Sequence, residues 1–251
     1  MISLKGKIAL ITGASRGIGR ATALLFAQAG ADLVLSYRTQ HAAAEEVAKA
    51  VRALGSKCLY VPGDISRPEV VEQLFALAQQ QFGRLDIVVV NAGIWTEGAI
   101  DQLTPEVWQE TMEVNLTSAY LCCHWAAKIM KPQRSGTIIL VSSTAGQRGE
   151  AYHSHYAASK SALHGFAKSL AAELGPSNIT VNVVAPGWVD TDMSREALNG
   201  LERQRIFSAI PLGRVATAED VAGPILFLAS PLARHITGAI LSVNGGSVLS
   251  G

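Results

Sequence analysis

Apolar residues fall in short dense runs, separated by longer windows in which they recur every three or four positions. Seven runs are rich in β-branched residues: KIALIT (7–12), DLVLSY (32–37), KCLYVP (57–62), DIVVVN (86–91), TIILVS (137–142), ITVNVVA (179–185) and AILSV (239–243). Near-continuous apolar runs of this length predict strands buried on both faces, not the alternation of a half-exposed sheet. The Ala-, Leu- and Glu-rich windows between them predict helices at 17–29, 42–54, 67–82, 104–131, 155–174, 191–209 and 217–229. Strands alternating with helices predict an α/β fold, a doubly wound seven-stranded parallel sheet with helices on both faces. No linker, repeat or low-complexity tract interrupts the pattern, so residues 1–251 are expected to form one domain. The longest interval between strands is charged and glycine-punctuated, and it follows a strand's carboxyl end. A substrate lid is expected there, at about 188–215.

Composition narrows the partners. Apolar residues make up 49% of the chain and charged ones only 16%, which fits a compact enzyme-like core. The net charge of +1 gives no global attraction to nucleic acid or an anionic membrane. No window approaches the length of an apolar membrane span, and the first strand follows the N-terminus without a leader-like segment. The expectation is a cytoplasmic protein. Cys58, Cys122 and Cys123 lack metal-ligand spacing, so reduced, buried thiols and no metal site are expected.

The first strand runs into TGASRGIG, in which Gly13, Gly17 and Gly19 surround Ala14, Ser15, Arg16 and Ile18. Glycines between a strand and a helix let backbone approach a pyrophosphate, and the helix N-terminus offers free N–H groups. A plain tight turn would use the same residues; the position at the start of the first βαβ unit favours a Rossmann-type nucleotide site. The second strand ends in Tyr37 and Arg38, where an acid would hold the ribose hydroxyl of NAD. With Arg16 in the glycine turn, two guanidiniums and no carboxylate suit the 2′-phosphate of NADP(H). Asp64 follows the third strand and is a candidate acceptor for an adenine amino group. Asn91, Ala92 and Gly93 follow the fourth, where a cofactor would pass close to the backbone.

Tyr156 and Lys160 stand four apart in HYAASK, one helical turn from each other on one face. Tyr152 lies one turn earlier, and Ser142 and Ser143 close the fifth strand. Asn115 sits inside a helical window, where asparagine has little intrinsic preference. Taken in order, TGASRGIG, VNAG, Asn115, Ser143, YAASK and PGWVDT resemble the short-chain dehydrogenase/reductase superfamily across essentially the whole chain. Within it, TGASRGIG, ITVNVVAPGWVDTDM and ITGAILSVNGG most resemble 3-oxoacyl-(acyl-carrier-protein) reductases.

The resemblance implies that Tyr156 is the acid–base residue, with Ser143 holding the substrate oxygen. Lys160 would tune Tyr156 and hold the nicotinamide ribose, and Asn115 would anchor a water relay to Lys160. Ile65, Pro186, Gly187, Val189 and Thr191 complete the cofactor residues it implies. A free phenol titrates at roughly 10, too high for efficient proton transfer at neutral pH. A neighbouring ammonium and a cationic ring would lower it. Tyr152 is expected as pocket wall, Trp95 and Trp188 as either packing or apolar substrate walls, and His153 and His155 as pocket lining or surface. Val90 replaces the first asparagine of the family's usual Asn-Asn-Ala-Gly.

The implied activity is NADPH-dependent reduction of a 3-oxoacyl thioester. A sugar, polyol, steroid or small-ketone dehydrogenase and a non-catalytic NADP-binding sensor are alternatives. Intact Ser143, Tyr156 and Lys160 argue against the last. Ala157, Ala158, Ser161, Ala162 and Gly165 give the 155–174 helix a small face, which with the resemblance implies a homotetramer. Lys128, Lys131 and Arg134 are either a solvated helix end or docking residues for an acyl carrier protein.

Overall fold

In the computed structural model all seven runs pair into one sheet. The structure describes residues 2–200 and 203–249. Residues 1, 250 and 251 of the expected domain, and residues 201 and 202 of the expected lid, lie outside the described residues. The strands are β1 (Ile8–Ile11), β2 (Asp32–Tyr37), β3 (Cys58–Pro62), β4 (Ile87–Val90), β5 (Gly136–Val141), β6 (Ile179–Pro186) and β7 (Ile240–Val243). All are parallel, in the order β3-β2-β1-β4-β5-β6-β7.

Helices α1 (Gly17–Gln28), α2 (His41–Ala53), α3 (Pro68–Phe82), α4 (Pro105–Met112), α5 (Ser118–Gln133), α6 (Ala145–Arg148), α7 (Ser154–Leu174), α8 (Arg195–Asn199), α9 (Arg203–Ser208) and α10 (Ala218–Ala229) connect them. Successive strand residues divide between the two faces. Leu10, Val88, Ile138 and Val181, in register across four strands, pack with Leu74, Ala126 and Leu163 of α3, α5 and α7. Ile11, Val89, Ile139 and Val184 pack with Phe26, Val47 and Ile225 of α1, α2 and α10. This two-sided burial is why the strands read as continuous apolar runs. Each such side chain contributes about 1.5–3 kcal/mol of burial.

Two expected helices differ from the observed ones. The 104–131 window is α4, a π-helical turn over Glu113–Thr117, then α5. Thr104 caps α4, its hydroxyl accepting from Val107 N at 3.4 Å. The 191–209 window is two short helices, because the backbone at Gly200 is extended and ends α8. The four-residue α6 was not legible in the sequence. Strand order reverses between β1 and β4, so the carboxyl edge opens a crevice at that switch point. Cys122 and Cys123 are buried and all three thiols are free; burial pushes Cys122 up to about 12.

Candidate active site

One cleft runs along the carboxyl ends of the strands, bordered by the glycine turn, the β2, β3, β4 and β5 ends, α7 and the 186–194 segment. At the glycine turn, Gly13 and Gly17 have φ of 65° and 54°, which side chains resist. A Cβ at Gly13 would lie 2.9 Å from the Ala92 Cα. Gly19 lies beneath the turn instead of on the cleft; its Cβ would meet the Gly13 carbonyl oxygen at 2.3 Å. Arg16, at the cap position of α1, makes no capping bond, so the first N–H groups of the helix have no side-chain partner. Bare backbone donors, positive dipole and absent side chains fit the pyrophosphate of a dinucleotide. Ser15, Ile18 and Ile65 border the same cleft.

The turn is braced from β4. Thr12 Oγ1 accepts from Asn91 N at 3.0 Å and Ala92 N at 3.1 Å, and Asn91 Nδ2 donates to the Thr12 and Gly13 carbonyls at 3.0 and 3.3 Å. Asn91 therefore spends its amide donors on protein, and Thr12 is a brace that the motif reading passed over. Tyr37 is buried, and its hydroxyl bonds the His41 ring. Burial, then Tyr60, raises its pKa. Arg38 is exposed at the rim. Burial acts to raise the Asp64 carboxyl, but bonds from Ser66 and the charges of Arg38 and Arg67 leave it lowered. Arg16 stands 3.6 Å from Asp192, so a carboxylate faces this guanidinium after all, though from the 188–215 segment and not from β2.

The other half of the cleft holds the residues expected to carry the chemistry. Tyr156 and Lys160 are buried on α7, with the ammonium 5.8 Å from the phenol ring centre. Lys160 Nζ donates to the Val141 carbonyl at 3.0 Å. Burial pushes Lys160 down to about 8. It pushes Tyr156 up to about 12, with the facing Ser143 hydroxyl lowering it and Glu150 raising it. Without a further cation, desolvation outweighs the mutual tuning expected of this pair. Ser143 Oγ accepts from Ala145 N at 3.1 Å. Ser142 turns to the other side, donating to the Lys160 carbonyl and meeting His164 Nε2, both at 2.8 Å.

Asn115 sits in the π-helical turn, which adds a residue and re-aims the helix face. Its Nδ2 donates to the Ile94 carbonyl and Ser159 Oγ, and its Oδ1 accepts from Ile94 N at 2.8 Å. Both amide donors are engaged, so only a lone pair on Oδ1 is left for the expected water. A Cβ on Gly93 would come within 3.0 Å of that oxygen and 3.2 Å of Lys160 Nζ. Gly93 thus borders both groups.

At the end of β6 and just past it, Pro186, Gly187, Val189 and Thr191 border the cleft. The ends of the expected lid are clipped together: Ala216 N donates to the Trp188 carbonyl and Asp190 N to the Ala216 carbonyl. Leu198, Ile206 and Ile210 form a small core with Trp188 between them and the cleft.

Several neighbours differ from expectation. Tyr152 is not a pocket wall: it is 63% exposed, with φ at 63°. His153 and His155 are neither surface nor cleft lining: both are buried, His153 against Trp95 and His155 with its ring on the Thr96 hydroxyl. His153 stacks on Trp95 at 4.5 Å, and Trp188 meets the same ring edge-on at 5.9 Å. Both tryptophans face the cleft. Ala157 is buried, whereas Ser161, Ala162 and Gly165 are exposed. Lys128 lies over the Trp125 ring at 4.1 Å and Arg134 donates to the Pro176 carbonyl. Arg134 precedes the first residue of β5, so this cluster marks the amino edge of the sheet, opposite the cleft. Glu150, whose carboxylate accepts from Trp95 Nε1 at 3.4 Å, also borders the cleft and went unnoticed in the sequence.

A family model described as enoyl-(acyl carrier protein) reductase matches residues 13–248. A 3-oxoacyl-[acyl-carrier-protein] reductase of Pseudomonas aeruginosa is 41% identical over 249 residues, covering 99% of this chain and 100% of the relative. An L-rhamnose 1-dehydrogenase (NAD(P)(+)) of Sphingomonas is 39% identical, covering 97% and 96%. The crystal structure of a short-chain type dehydrogenase/reductase from Mycobacterium marinum superimposes with a TM-score of 0.94 at 34% identity, covering 99% of this chain and 98% of that one.

Proposed function

The chain belongs to the short-chain dehydrogenase/reductase family, oxidoreductases acting on CH–OH and C=O groups with NAD(P), and on that premise we propose that it is an NADPH-dependent reductase of 3-oxoacyl thioesters. The observation that carries the chemistry is the convergence of Ser143, Tyr156 and Lys160 on one cleft with the glycine turn. Ser143 donates to the substrate carbonyl oxygen and holds it against Tyr156. Tyr156 gives its proton to that oxygen as negative charge develops there. Lys160, anchored on Val141, holds the ribose and returns the proton to the phenol. Asn115 fixes the π-helical turn against Ile94 and keeps Gly93 beside Lys160. When bound, the dinucleotide would supply the hydride, and its ring, becoming positively charged as the hydride leaves, would lower the phenol's proton affinity.

Buried Tyr37 at the end of β2 leaves no carboxylate for a ribose hydroxyl, and exposed Arg38 follows it, which supports NADP(H) over NAD(H). The 188–215 segment, clipped at its ends, is the lid. The exposed face of Ser161, Ala162 and Gly165 supports pairing of α7 with a second copy, within a homotetramer. A carrier protein delivering the thioester would dock at the cleft's mouth, since Lys128, Lys131 and Arg134 mark the opposite edge.

A second reading, a sugar-type dehydrogenase, is favoured by the Trp95 and Trp188 walls beside a carboxylate, a combination suited to a hydroxylated ring. NADPH oxidation with acetoacetyl thioester, NADH run alongside, tests the first. Turnover preferring NADPH supports it. NADPH binding without thioester turnover moves the substrate to the second reading.

A further inference from the structure

We propose that Glu150 makes the substrate end of the cleft selective for neutral carbonyl compounds over anionic ones, acting as a positioning and specificity residue beside Tyr156. The inference rests on reading Tyr156 as the proton donor. Glu150 is held by geometry, not by a counter-ion. Gly149, at φ 76°, turns the chain out of α6, and its N–H closes on the Ala145 carbonyl at 2.9 Å. His153 N returns to the Glu150 carbonyl, and Gly98 N fixes the Tyr152 carbonyl at 2.7 Å. The Trp95 ring, flat on His153 and edge-on to Trp188, aims its Nε1 at the Glu150 carboxylate. That is the carboxylate's one hydrogen bond, and it has no salt-bridge partner, among the described residues.

Other charges surround the phenol, and their placement singles out Glu150. Lys160 lies on the same helix with its ammonium 5.8 Å from the ring. Arg148, exposed at the end of α6, borders the cleft at its rim. Asp192 borders it from the lid but pairs with Arg16 and Arg195. His153 is buried against Trp95 and His155 is buried on the Thr96 hydroxyl. Among the acids of the cleft, Glu150 is the one whose charge opposes ionisation of Tyr156. An unpaired carboxylate lining the same cleft as Tyr156 repels a second anion brought into it, because no cation of its own neutralises it. A thioester or a sugar meets no such penalty; a free 3-oxo acid does.

The test compares ethyl acetoacetate with acetoacetate, one skeleton with and without charge, in wild type and Glu150→Gln. Glutamine keeps an oxygen for Trp95 Nε1 and removes the charge. The ratio of kcat/KM for acid over ester should rise about tenfold or more in the variant. An unchanged ratio overturns the selectivity. The phenol is also titrated by ultraviolet difference absorbance, with Tyr156→Phe subtracting the other tyrosines. It should ionise at lower pH in Glu150→Gln, a shift that loss of a structural bond alone would not produce. A titration that does not move overturns the inference even if no acyl substrate is found. If wild type reduces neither compound, their affinities as inhibitors are compared instead: an acid-over-ester affinity ratio that Glu150→Gln leaves unchanged overturns the selectivity, while the acyl reading is judged separately by acetoacetyl-thioester turnover.

Discussion

At the β1–α1 turn, a Cβ on Gly19 would meet the Gly13 carbonyl oxygen at 2.3 Å; at the far end of the cleft, Trp95 lies flat on His153 at 4.5 Å. The first half is made of backbone approaching backbone, fixed by which side chains are missing. The second is made of side chains packed on side chains, fixed by which are present. A site of the first kind takes a ligand common to many enzymes and tolerates almost no variation. The second carries what distinguishes one enzyme from another.

The largest effects should separate the halves by chemistry. Ser143→Ala and Lys160→Met should each lower kcat by about 100- to 1000-fold. Dinucleotide affinity, measured by fluorescence, should survive in Ser143→Ala and weaken modestly in Lys160→Met. Equal loss of binding in both would erase the distinction. Next comes Gly19→Ala, which forces a methyl against backbone that cannot yield. Denaturant unfolding should show a loss of about 3 kcal/mol, with dinucleotide binding lost as well.

A pH effect sharpens the side-chain half. Lys160 is held near 8 in the fold against 10.5 in the open chain, so the unfolded state binds more protons between those values. Stability should therefore rise from pH 8 toward 10.5 by about 3 kcal/mol, and Lys160→Met should remove that rise. Tyr156, raised to about 12, works in the opposite sense above pH 10, where the unfolded phenol ionises first. The smallest effect belongs to the exposed rim. Arg38→Ala should cut the NADPH-over-NADH preference about tenfold in kcat/KM, since one solvent-exposed guanidinium is screened.

The same contrast explains what could be read from the chain. The sheet was legible because two-sided burial writes continuous apolar runs, and the glycine turn because backbone approach demands glycine at fixed spacing. Tyr156 and Lys160 were legible because four residues make one helical turn. The Trp95–His153–Trp188 clamp was not, since its members come from three separate loops and stacking leaves no spacing rule. Tyr152 was misjudged because helical spacing was extended past the true start of α7 at Ser154. The π-helical turn left a single trace, an asparagine where a helix former was expected, and nothing in the periodicity told a five-residue turn from a break.

The most direct measurement is turnover and NADPH binding in Tyr156→Phe. The account predicts kcat reduced about 1000-fold or more, with the dissociation constant for NADPH within a few-fold of wild type, because the phenol's proton belongs to one half of the cleft and the dinucleotide's phosphates to the other. A variant that keeps most of its turnover, or loses NADPH along with it, would contradict that division.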